Sequence, residues 1–110
     1  MVKAIHCNTL DEVRKEIDRI DSLMVELLVE RISYVLQAAR FKDSKSAVRV
    51  PDRIEAIVEK VRGHAEQLDS DPAYVESLFR YLIEQSIARE SQHWAVLNEQ
   101  KKTTKPTEHK

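Results

Sequence analysis

Residues 10–42 read LDEVRKEIDRIDSLMVELLVERISYVLQAARFK, and the spacing of their apolar side chains decides the fold class. Leu10, Val13, Ile17, Ile20, Met24 and Leu27 succeed one another at steps of three and four. That is the stripe of a long helix packed against other helices. The next seam positions are Arg31 and Tyr34, followed by Ala38 and Phe41. A cation in an apolar seam is costly unless an anion meets it. No acidic residue shares the seam, which makes a bound anion a candidate for the counter-charge.

Working outward, Thr9 is the expected N-cap, and Glu12 three residues later completes a capping box. The helix is expected to run to about Lys42. At ~1.5 Å per residue it would be about 50 Å long. A compact chain of 110 residues is only roughly 30 Å across. A helix of that length needs neighbours, and a second copy of the chain is the expected source.

Residues 43–50, DSKSAVRV, read as a polar loop. Pro51 then opens a second helix, whose stripe is Ile54, Ile57, Val58, Val61, Ala65 and Leu68, weakened modestly by Gly63. Residues 69–72, DSDP, are a turn and restart signal, with Asp71 as N-cap and Pro72 at the first helical position. The third helix is expected to reach about Asn98, burying Val75, Leu78, Phe79, Leu82, Ile83, Ile87, Trp94 and Leu97. The expected fold is all-α, with three helices (long, medium, long) in an intertwined homodimeric bundle. One helical domain is expected over residues 1–100, with residues 101–110 expected to form a polar, disordered tail.

Composition narrows the function classes. One glycine, three prolines and 5% aromatics suit a helical chain. Charged residues make up 34%, yet net charge is only −1, which argues against general nucleic-acid binding. Cys7 is the only cysteine, so no intrachain disulfide can form and a reducing, cytoplasmic setting is expected. The first residues, MVKAIHC, hold no apolar run long enough for a signal peptide or membrane span. The four histidines lack metal-ligand spacing, and no phosphate loop or nucleophile motif is present. No metal and no cofactor is expected.

The remaining candidates are polar residues on apolar faces. Arg31 and Lys42, eleven residues apart, would lie about 20° apart on one continuous helix and so share a face. Two such cations suit a small dianion. Arg14 is about 100° off that face and about 25 Å away, within reach only of another subunit's site. On the third helix Ser86 and Glu90 are one turn apart, and Glu90 lies on the apolar stripe. Burial disfavours an ionised carboxyl, and a protonated one can donate a hydrogen bond. Arg53 follows the loop that could close over a site. Each residue also has an ordinary reading. Arg31 can snorkel, Lys42 can favour a helix C-terminus, Arg14 can pair with Asp18, and Glu90 can bridge to Arg31. Ser86 can be a tolerated small residue, and Arg53 can form a solvated pair with Asp52.

Taken together, residues 9–97 resemble the all-helical chorismate mutase family. The carriers are Arg14 in LDEVRKEIDRID, Arg31 in LLVER, Lys42 in AARFK, Arg53 in VPDRI, and the segment LFRYLIEQSI containing Ser86. Within that family the chain looks most like the isochorismate-pyruvate lyase branch of salicylate and siderophore biosynthesis. Cys7, the 38–42 run, the short loop and Pro51 with Arg53 carry that nearer likeness. Ile54 stands where typical mutases place an acidic residue, and Val50 where they commonly place an aspartate. Ser86 matches a serine of the mutases. Glu90 falls where many members carry a glutamine.

The resemblance implies a cofactor-free pericyclic reaction on a small dicarboxylate, isochorismate or chorismate. It implies that Arg31 and Ser86 hold the ring carboxylate and that Arg14 of the other subunit holds the enolpyruvyl carboxylate. Lys42 and protonated Glu90 would meet the ether oxygen, and Arg53 would add positive potential. Chorismate mutation as the main activity, or a non-enzymatic helical dimerisation module, are the alternatives at this stage.

Overall fold

The computed structural model describes residues 3–104. Among them the chain is helical: α1 (Leu10–Ala38), a 3-10 turn at Ala39–Phe41, a second at Lys45–Val48, α2 (Pro51–Gln67) and α3 (Pro72–Thr104). It divides into two compact units, Met1–Tyr34 and Val35–Lys110.

In the first unit, the start of α1 is a capping box displaced by one residue. The Glu12 amide donates to Thr9 Oγ1 at 3.1 Å, as the motif requires. The returning Glu12 carboxylate accepts from the amide of Asn8, at 2.8 Å, rather than from Thr9. No residue of α1 is buried. Ile17, Met24 and Leu27 on the seam are 50%, 51% and 65% exposed. An apolar stripe in water over many turns costs free energy in proportion to its area.

The second unit is organised around an antiparallel hairpin of α2 and α3. The short turn between them is a Schellman motif. Ser70 N–H donates to the Ala65 carbonyl at 2.9 Å and Asp69 N–H to that of Glu66 at 3.0 Å. Asp69 takes the left-handed conformation (φ 57°), which aspartate tolerates better than most residues. Asp71 then caps α3, its carboxylate accepting from Ala73 N–H at 3.0 Å. Val58 and Ala65 of α2 and Ile83 of α3 form the buried centre, joined by Ala39 and Val48 from the two 3-10 turns. Both turns pack on α3.

Two sequence expectations beyond residue 42 change. The loop at 43–50 contains an ordered 3-10 turn, because Ser44 accepts from Ala47 N–H at 3.3 Å and Val48 is drawn into the core. Helix α3 runs through Lys101–Thr104 into the stretch expected to be a tail. The run NEQKK has no breaker, and its Glu, Gln and Lys residues favour helix. Residues 105–110, the rest of that expected tail, lie outside the described residues.

Ion pairs set the register of the hairpin. Arg62 meets Glu76 at 2.6 Å, and Arg80 bridges Glu76 (2.7 Å) to Glu55 (3.0 Å). Arg49, just after the second turn, grips Glu84 with both nitrogens at 2.9 and 2.6 Å. As α3 advances from 76 to 84, its partners recede from 62 to 49, which is the signature of antiparallel pairing. Hydrogen bonds from these arginines hold the carboxyls of Glu55, Glu76 and Glu84 below the usual carboxylate range. The folded chain thus binds these protons less readily than the unfolded chain. Their contribution to stability is complete above the ordinary glutamate value and is lost as pH falls through the lowered folded values. Melting temperature should therefore drop between about pH 5 and about pH 3, and Glu76→Gln should flatten that drop. A profile unchanged by Glu76→Gln would remove these pairs from the account.

Candidate active site

Continuing the ladder along α3, the next rung is Lys42 with Glu90. Lys42 does not sit on α1, as the phase argument required. The α-helix ends at Ala38 and tightens into the 3-10 turn, where Lys42 N–H donates to the Ala39 carbonyl at 3.1 Å. Lys42 itself is extended (φ −99°, ψ 136°). The rotation per residue of an α-helix therefore does not carry from Arg31 to Lys42. The physical cause is the packing of this turn on α3, which leaves Ala39 with no exposed surface.

Lys42 Nζ donates to Glu90 Oε2 at 2.9 Å. The Glu90 side chain is 8% exposed and that of Lys42 22%. Such a charge-assisted bond is strong, and removal of either partner would strand the other in a poorly solvated place. An ammonium group has three N–H donors, and Glu90 takes one. One turn before Glu90, buried Ser86 donates its hydroxyl to the Leu82 carbonyl at 2.8 Å. To hold a substrate carboxylate, that hydroxyl has to turn away from the backbone.

The structure thus gathers Lys42, Ser86 and Glu90 around one stretch of α3. Arg53 is exposed in the first turn of α2. Arg14 is exposed, and Arg31 is half-buried, on α1 in the other unit. Beside Lys42 opens a groove of about 490 Å³, lined by Arg40, Phe41, Trp94, Leu97 and Lys101 among others. Neither Glu90 nor Ser86 lines it, so it is not the space between the paired groups. Among the described residues, no His, Cys, Asp or Glu cluster could hold a metal ion. No helix there is long and apolar enough to cross a membrane.

Two contacts lie outside the sequence reading. Trp94 belongs to the apolar stripe of α3, yet its indole Nε1–H donates to the Lys42 carbonyl at 3.0 Å. Its spacing of four from Glu90 places both on one helix face, a signal visible in the sequence. Arg49 and Glu84 are 35 residues apart, with no local pattern to join them.

Comparison with known proteins bears on these residues directly. The family model for chorismate mutase type II matches residues 13–91. The chain belongs to that family. The matched span takes in Arg14, Arg31, Lys42, Arg53, Ser86 and Glu90, and stops short of Trp94. Among curated family relatives, the isochorismate pyruvate lyase of Pseudomonas aeruginosa is 38% identical over 88 residues, covering 80% of this chain and 87% of that protein. The chorismate mutase of Methanocaldococcus jannaschii is 29% identical over 85 residues, covering 76% of this chain and 86% of its own. The bifunctional chorismate mutase/prephenate dehydratase of Buchnera aphidicola is 32% identical over 82 residues, but this chain spans only 21% of it.

Proposed function

We propose that this chain is a cytoplasmic, cofactor-free isochorismate-pyruvate lyase, which also has some chorismate mutase activity. The observation that carries the reading is the Lys42–Glu90 pair, a cation set against a buried carboxyl within the family's matched span. The relative from Pseudomonas, matched along 87% of its length, supports the lyase over the mutase. So do Ile54 and Val50, which replace acidic groups that recognise chorismate's hydroxyl in typical mutases.

The chemistry needs no nucleophile. In the lyase reaction the C–O bond of the enolpyruvyl ether breaks while a ring hydrogen moves to the terminal carbon of the side chain. The ring becomes aromatic, and salicylate and pyruvate result. In the mutase reaction a carbon–carbon bond forms instead, giving prephenate. Either path is helped by a folded substrate and by positive charge at the breaking bond. Lys42 serves the ether oxygen, Arg31 and Ser86 the ring carboxylate, and Arg53 adds positive potential. Arg14 comes from a second copy, in a homodimer that covers the exposed seam of α1.

Glu90 accepts from Lys42 Nζ and so holds the ammonium that serves the ether oxygen.

Ser86 favours the second reading, chorismate mutation as the main activity, because it matches a serine of the mutases. Purified protein given each substrate separates the two. The lyase reading expects fluorescent salicylate from isochorismate at a higher kcat/KM than prephenate from chorismate. The reverse order makes the chain a mutase. The absence of turnover on both, with no rise in melting temperature on adding a dicarboxylate analogue, would leave a helical module without this activity.

A further inference from the structure

Lys42 is held by α3 at both ends of the residue. Its ammonium donates to Glu90 at 2.9 Å, and its backbone carbonyl accepts from the Trp94 indole at 3.0 Å. Glu90 and Trp94 are one helical turn apart, so a single rigid face of α3 supplies both contacts. The third anchor is the hydrogen bond from the Lys42 amide N–H to the Ala39 carbonyl, at 3.1 Å, which closes the 3-10 turn. Beyond Lys42 the backbone has left the helix, and the carbonyl that a continuing helix would satisfy finds its donor in the indole. A lysine on a four-carbon stem is flexible, and ordering it is entropically costly. Fixing its backbone narrows where the ammonium can go.

We propose that Trp94 is a positioning residue: its indole N–H, by fixing the Lys42 carbonyl, sets the Lys42 ammonium against Glu90 and the reacting bond. This rests on the proposed pericyclic function, in which Lys42 touches the substrate and Trp94 acts only through it. The ring also packs as an apolar residue, so deleting it would confuse packing with positioning. The isosteric benzothienylalanine, with sulfur in place of N–H, removes the hydrogen bond and keeps the shape.

The test places this analogue at residue 94 in the parent protein and in Lys42→Ala. In the parent background kcat should fall about fivefold, the worth of one hydrogen bond, with KM little changed. In the Lys42→Ala background, the same replacement should leave the residual kcat unchanged, since the residue it positions is gone. A structural role would lower both backgrounds equally, and that result overturns the proposal, as does an unaltered kcat in the parent. A second readout needs no catalysis. The Lys42 Cε–Nζ resonance, assigned by its loss in Lys42→Ala, should shift when the indole N–H is removed. If it stays in place the positioning claim fails, whatever the enzyme does. If it shifts in a protein with no turnover, positioning stands and only the functional reading falls.

Discussion

Lys42→Ala is expected to lower kcat by a factor of about 10² to 10³, leaving the helical fold in place. The magnitude is that of one well-aimed electrostatic donor, about 3–4 kcal/mol of barrier. The substitution also strands Glu90, whose side chain is only 8% exposed. A buried carboxylate without its cation is destabilising by several kcal/mol unless it takes up a proton. Stability and chemistry are therefore separated by the double variant Lys42→Ala with Glu90→Gln, which leaves no stranded charge. It should regain the melting temperature lost in the single variant but not its turnover. Near-parental turnover in a folded Lys42→Ala protein would reduce Lys42 to a charge at the end of a turn.

The second large effect concerns the sharing of sites. Arg14→Ala and Lys42→Ala should each be nearly inactive as homodimers. After subunit exchange, about half the dimers are hybrids, and each hybrid carries one site with both residues intact. Activity should recover to about a quarter of the parental value. This recovery is possible only if Arg14 and Lys42 of one site come from different copies. Failure to recover, with exchange verified by mass, would place both residues in the same chain's site. The exposure of the α1 seam is the physical motive for expecting a second copy at all.

Much of this fold is legible in the sequence because its signals are local. Pro51 and Pro72 mark the starts of α2 and α3 directly, and Thr9 with Glu12 marks the first turn of α1. The apolar steps of three and four make the helices unmistakable. The end of α1 is less legible, since the AARFK run carries no breaker. What stops the helix there is tertiary: Ala39 buried against α3, and a tryptophan 52 residues away taking the Lys42 carbonyl. The same limit hides Arg49–Glu84, whose partners meet only once the hairpin has formed. The candidate site divides in the same way. Ser86 and Glu90 can be read from one helical turn, but the pairing of Glu90 with Lys42 spans 48 residues, and periodicity along one helix cannot reveal it.

The proposed reaction puts Lys42 at the bond that breaks and the two carboxylates of a diffusible diacid on Arg31, Ser86 and Arg14 of a second copy. A crystal structure of the protein soaked with salicylate and pyruvate tests it most directly. Both products should lie side by side at Lys42 Nζ, with Arg31 and Ser86 on the salicylate carboxylate and Arg14 of the second copy on the pyruvate carboxylate. Lys42 still tied to Glu90 with no product near it, or products bound elsewhere on the protein, would contradict it.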